Sequence, residues 1–169
     1  DTYRYDRLET CPSSTDHSPR QLFDIHNQKG VNQYHGIETL QTEEDIILLK
    51  KYASQIPPLT CYLELGVAQG GSAQVAVESV RQMVPVFGVD SVATTYSHPR
   101  FWFIQAKAED VVGEFIYPIG LLFMDHDHNK ISQDFLQWQE KVVPQGVVIF
   151  HDGDCQETAL GTPEGWEVV

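Results

Sequence analysis

From Cys61 to Phe150 the chain alternates short, nearly unbroken apolar runs with segments whose apolar positions return every three or four residues. Cys61 to Leu65, Val84 to Val89, Phe101 to Gln105, Ile119 to Met124 and Gly146 to Phe150 read as strands. Ser72 to Met83, Ala108 to Phe115 and Ile131 to Val142 read as helices between them. Strands without polar alternation are buried on both faces, which requires a parallel sheet with helices on each side. The expected fold is therefore α/β, a doubly wound parallel sheet, truncated after strand five or six because only Gly165 to Val169 remains as a further strand.

Upstream, Thr42-Glu43-Glu44-Asp45 supplies an N-cap residue and the acids of a first turn. Ile46, Leu48, Leu49 and Tyr52 follow at helical spacing, and Pro57-Pro58 stops that helix. Residues 1–35 are polar and broken by Cys11-Pro12-Ser13-Ser14 and His17-Ser18-Pro19, so they are expected to form an arm or lid ahead of a domain at 36–169.

A chain of 169 residues is large enough for one core without disulfides or a structural metal. The balance of 11 basic against 24 acidic residues, −13 in all, has no clustered Lys and Arg stripe and excludes a nucleic-acid partner. No apolar run approaches the roughly 20 residues that cross a bilayer, and no basic n-region with an apolar core opens the chain, so no membrane partner is expected. Three cysteines without a CxxC pair read as free thiols in a reducing compartment, so the expected location is cytoplasmic.

Four places carry chemistry. Glu64-Leu65-Gly66-Val67-Ala68-Gln69-Gly70-Gly71-Ser72 is a glycine-rich turn between strand and helix, where backbone can approach a ligand and free N–H groups point at it. Its spacing is not the G-x-G-x-x-G of dinucleotide binders. Asp90 ends the next strand, where an acid can accept both hydroxyls of a ribose. Two later strands end abruptly in Asp125-His126-Asp127-His128 and in His151-Asp152-Gly153-Asp154. If those strands are neighbours, Asp125 and Asp152 can converge on one cation or one substrate.

These motifs, in this order, resemble the class I S-adenosylmethionine-dependent methyltransferases, particularly the small-molecule O-methyltransferases that include macrocin O-methyltransferase-like and cephalosporin-hydroxylase-like proteins. Glu64 to Ser72 is similar to their first motif, and Asp90 to their ribose-binding acid. Ala106-Lys107-Ala108-Glu109 is similar to the segment that borders adenine. The run from Asp125 through Asp134, Trp138 and Pro144-Gln145-Gly146 to His151-Asp152 is similar to their fourth and fifth strand ends. The resemblance spans about residues 36–154. It implies a Rossmann-like fold whose sixth and seventh strands, the last antiparallel, are not both available here.

The resemblance implies S-adenosylmethionine as cofactor, held by Glu64, Gly66, Gly70, Ser72, Asp90, Ala108 and Asp125. It implies methyl transfer to a hydroxyl of a small-molecule acceptor, such as a sugar. Removing the hydroxyl proton has two routes: Mg²⁺ or another divalent metal on Asp125 and Asp152, or a base drawn from His151 and His128. Asp125, His128 and His151 are thus the expected catalytic residues. A homo-oligomer is one way to cover the short sheet's edge. Two other readings stay open: a catalytically silent binding domain on the same fold, and a nicotinamide-dependent oxidoreductase, against which the glycine spacing speaks.

Overall fold

The computed structural model describes residues 20–25, 32–127, 129–151 and 166–168. Its strands are β1 (Arg20–Ile25), β2 (Asn32–Tyr34), β3 (Ile37–Thr39), β4 (Cys61–Leu65), β5 (Val86–Asp90), β6 (Phe101–Gln105), β7 (Ile119–Met124), β8 (Val142–His151) and β9 (Trp166–Val168). Its helices are α1 (Glu43–Ala53), α2 (Gly71–Ser79), α3 (Ala108–Val111) and α4 (Ile131–Trp138).

Seven strands form one sheet in the order β6-β5-β4-β7-β8-β1-β9, every pairing parallel. The apolar runs explain why: β4 and β7 are buried at every position, which only a sheet covered on both sides allows. Alternate residues of each strand serve the two sides. Tyr62, Leu121, Phe123 and Ile149 pack with Leu49 and Tyr52 of α1 and Val75 and Ala76 of α2. Leu63, Leu122, Met124 and Phe150 pack with Ala108 of α3 and Ile131, Phe135 and Trp138 of α4. Each such side chain contributes about 1.5–3 kcal/mol by leaving water. The sheet is a doubly wound Rossmann-like one, as expected.

The chain leaves β4 toward β5 and β6, then crosses back to β7 and β8 on the other side. The order therefore reverses between β4 and β7, and a crevice is expected beyond their C-terminal ends.

The N-terminal segment differs from the expected arm or lid. Residues 20–25 are β1, a strand inside the sheet that pairs with β8 in the register Phe23 to Ile149 and with β9 on its other side. The expected boundary between 35 and 36 falls inside a hairpin, because β2 and β3 pair antiparallel about a two-residue turn at His35-Gly36. The edge left by the fifth core strand is thus covered by the chain's own N-terminal segment. The positions where the resemblance implies a sixth and an antiparallel seventh strand hold β1 and β9, both parallel.

Other boundaries move as well: α3 stops at Val111 short of the expected Phe115, β5 begins at Val86, and β8 begins ahead of the expected Gly146. The helix expected to run to Val142 ends at Trp138 with a short 3-10 turn over Gln139–Lys141, and Val142 already begins β8. The helix expected to reach Met83 ends at Ser79, where Val80 turns extended. Among the described residues, no helix is long and apolar enough to cross a membrane.

Candidate active site

The glycine turn is tied to its neighbours by backbone. Gly66 N–H donates to the Val89 carbonyl at 2.8 Å, and Asp125 N–H donates to the Leu65 carbonyl at 2.8 Å. Gly66 has φ +91°, and a Cβ there would lie 2.0 Å from the Asp125 carbonyl oxygen. Gly70 caps α2 at φ +87°, with Tyr96 Cβ 2.4 Å from where its own Cβ would stand. These two positions admit only glycine because backbone and side chain close over them.

Two open clefts flank the Gly66–Asp125 contact. The first, about 530 Å³ including its mouth, is lined by Asp90, Ala106, Ala108, His126 and Asp134 among others. The second, about 540 Å³ including its mouth, is lined by Thr39, Gln41, Val67, Gln69 and Asp125 among others, and Gly66 borders both. Together they make a trough along the reversal point of the sheet.

At the first cleft, Asp90 Oδ2 accepts the N–H groups of Val67 and Ala68 at 2.8 and 3.0 Å, and Oδ1 accepts that of Val92 at 2.9 Å. Of the roughly four acceptor positions of a carboxylate, one on Oδ1 remains. The expectation that Asp90 accepts two ribose hydroxyls is therefore met by one open position, the others being occupied by the turn. On the opposite wall His126 Nε2 lies 2.7 Å from Asp134 Oδ2, while the buried Nδ1 has no hydrogen-bond partner. Lys130 Nζ pairs with Glu109 at 2.9 Å near the rim.

Glu64 and Ser72 lie beneath the turn and line neither cleft. The Glu64 side chain is 0% exposed, accepting the Ser72 hydroxyl and, at 3.1 Å, the Tyr62 hydroxyl. Burial, helped by the Asp125 and Asp90 charges and opposed by the Ser72 and Tyr62 hydroxyls, pushes its pKa up to about 8. Glu64, Gly70 and Ser72, expected at the cofactor, are buried and line neither cleft.

At the second cleft, Asp125 Oδ2 accepts from Gln41 Nε2 at 2.8 Å, and Oδ1 faces His151 Nδ1 at 3.1 Å. His151 is 0% exposed, and its Nε2 lies 3.6 Å from Asp45 Oδ2. Burial pushes the Asp45 carboxyl up, but His151 and the Thr42 N–H and hydroxyl hold it below the usual range. His151, expected as a candidate base, is fully buried between Asp45 and Asp125. His128 and Asp152 lie outside the described residues. Among the described residues no group of three or more His, Cys, Asp and Glu side chains is placed to hold a metal ion.

Sequence reasoning brought Gly66, Asp90, Ala108 and Asp125 to the two clefts. It missed Gln41 and Asp45, which carried no signal beyond an ordinary helix start, and the pairing of His126 with Asp134.

The family described as a methyltransferase domain matches residues 63–153, more than half of the chain, and the chain belongs to it. Solved structures share the fold. A Corynebacterium glutamicum protein aligns at 14% identity with a TM-score of 0.57, covering 68% of this chain and 60% of its own. The O-methyltransferase from Bacillus cereus, solved with S-adenosylhomocysteine, aligns at 14% and 0.54, covering 65% and 56%. TomG from Streptomyces achromogenes, an O-methyltransferase of tomaymycin synthesis solved with S-adenosylmethionine, aligns at 14% and 0.53, covering 64% and 56%. The chain spans less than two thirds of each of these proteins. No curated protein matches.

Proposed function

We propose that the chain forms the cofactor-binding domain of an S-adenosylmethionine-dependent methyltransferase that methylates a hydroxyl of a small molecule or sugar. The observation that carries this reading is the trough of two clefts meeting over Gly66 and Asp125 at the sheet's reversal point. The family membership supports it, and so does the chemistry of the walls. The first cleft offers Asp90 Oδ1 to a ribose hydroxyl, Ala106 and Ala108 to an apolar ring edge, and the unpartnered Nδ1 of His126 to a polar atom. The second cleft offers the glycine turn and two carboxylates, Glu38 and Asp125, which suit the α-ammonium group of the amino-acid end.

Bound S-adenosylmethionine would supply a methyl group on a sulfonium, open to in-line attack. The chain's part is alignment and proton handling. Gly66 keeps the ridge between the clefts free of a side chain. Asp125, held by Gln41 and His151, presents a carboxylate at the second cleft that can accept a hydroxyl proton. Asp125 oxygens face Gln41 Nε2 and His151 Nδ1, and no step is derived through a metal.

Titration calorimetry with S-adenosylmethionine, S-adenosylhomocysteine and NAD⁺ tests the cofactor. The first two are expected to bind and NAD⁺ to fail; folded protein that binds neither sulfur compound would overturn the reading. Mass spectrometry for S-adenosylhomocysteine formed with hydroxylated acceptors separates an enzyme from a silent binding domain. Chelation in the same assay tells whether Asp152 joins Asp125 on a metal.

A further inference from the structure

A buried polar line runs from the start of α1 to the second cleft. Asp45 completes the capping box of that helix: its Oδ2 accepts the Thr42 N–H at 2.7 Å, and its own N–H donates to the Thr42 hydroxyl at 3.2 Å. The same oxygen lies 3.6 Å from His151 Nε2, whose ring faces Asp125 Oδ1 through Nδ1 at 3.1 Å. The other Asp125 oxygen accepts from Gln41 Nε2 at 2.8 Å, and Gln41 Oε1 in turn accepts the Thr39 hydroxyl. Thr39, Gln41, Asp45 and His151 are all buried, while the Asp125 side chain keeps 14% of its surface at the cleft.

Capping does not require this. A helix start is satisfied by an exposed acid, whereas a buried carboxylate is costly unless it is paired. Burial of Asp45 against His151 therefore points beyond α1. Carboxylates stand on both sides of the His151 ring, and the ring donates to one of them as the neutral imidazole and to both as the imidazolium, which ties the hydrogen facing Asp125 to Asp45; Gln41 Nε2 donates to the other Asp125 oxygen. With Oδ2 engaged by Gln41 and Oδ1 by His151, rotating the carboxylate breaks both contacts.

We propose that Asp45, acting through His151, and Gln41, acting directly, are positioning residues that fix the Asp125 carboxylate on the wall of the second cleft. The inference rests on the cofactor reading above, since the fixed carboxylate is what the amino-acid end would meet. Asp45 is coupled to Asp125 and not merely to its helix.

The test is calorimetric titration of the full chain with S-adenosylhomocysteine. Asp45→Ala is expected to weaken binding at least fivefold, and Asp45→Asn, the closer replacement, less. Thr42→Ala, which removes the hydroxyl of the same cap, should change binding less than twofold. In an Asp125→Asn background, Asp45→Ala should also change it less than twofold. Equal losses from Thr42→Ala and Asp45→Ala, or additive losses from Asp45→Ala and Asp125→Asn, would overturn the proposal. If the wild-type chain does not bind S-adenosylhomocysteine, the cofactor reading fails instead. The positioning line is then judged by the His151 imidazole ¹⁵N resonances: shifts in both Asp45→Asn and Asp125→Asn support it, and unchanged resonances in Asp45→Asn refute it.

Discussion

Gly66 and Asp125 meet backbone to backbone: a Cβ on Gly66 would stand 2.0 Å from the Asp125 carbonyl oxygen and 2.5 Å from its carbon. This contact closes the gap between β4 and β7 and separates the two clefts. Since neither side is a flexible side chain, Gly66→Ala must displace one strand end as well as strain φ. We expect it to cost about 2–4 kcal/mol in stability, combining overpacking and backbone strain. Urea unfolding measures that cost, and S-adenosylhomocysteine binding should fall with it. A variant as stable as wild type would show that the two strand ends can part.

Glu64 predicts a pH dependence of unusual sign for a carboxylate. Its folded pKa of about 8 lies above the ordinary 4.5, so from about pH 4.5 to 8 the folded chain holds a proton that the unfolded chain has released. Its contribution to stability therefore falls as pH rises through that window, by at most on the order of 5 kcal/mol. Glu64→Gln should flatten the stability profile between pH 5 and 8, as read by denaturant midpoints at several pH values. An unchanged slope would mean that the buried carboxyl ionises at its ordinary pKa.

Asp90 holds the glycine turn through Val67 and Ala68 N–H groups and keeps one acceptor position toward the first cleft. Asp90→Ala should weaken S-adenosylmethionine binding by about 1.5–3 kcal/mol, the range for hydrogen bonds to a charged group. Calorimetry on the variant decides, and equal affinity would remove Asp90 from the site.

His126 depends on Asp134, 2.7 Å away and almost wholly buried. Asp134→Ala would leave the imidazole Nε2 without its partner, at a cost of about 1–3 kcal/mol. Asp134→Asn, which keeps an acceptor oxygen, should lose less. Thermal unfolding of the pair measures the difference, and equal losses would place the effect in packing.

Parts of this architecture were readable from residues alone. Cys61–Leu65 and Ile119–Met124 have the bounds that their apolar runs indicate, because burial on two faces leaves an unmistakable composition, and the edge strand Phe101–Gln105 keeps its bounds although only Phe101 in it is buried. Arg20–Ile25 was not readable: RQLFDI is too polar to announce itself, and its place depends on β8 offering an edge. The His35-Gly36 turn was a missed signal, since a residue followed by glycine between alternating segments marks a hairpin. At the site, Gly66, Asp90 and Asp125 stood out because strand ends concentrate chemistry. Asp45 did not, since local capping fully accounts for an acid at that position; only the long-range approach of His151 distinguishes it.

The pairing of β1 with β8 sets an order of events for the growing chain. Phe23 leaves the ribosome early but finds Ile149 only after every intervening strand has been made. Until then the β8 side of the nascent sheet lacks its β1 neighbour, so β8 and the much earlier β1 must zip together in one late, non-local step. Deleting residues 20–25 would remove the partner for which that edge waits, turning a transient exposure during synthesis into a permanent route to association between chains.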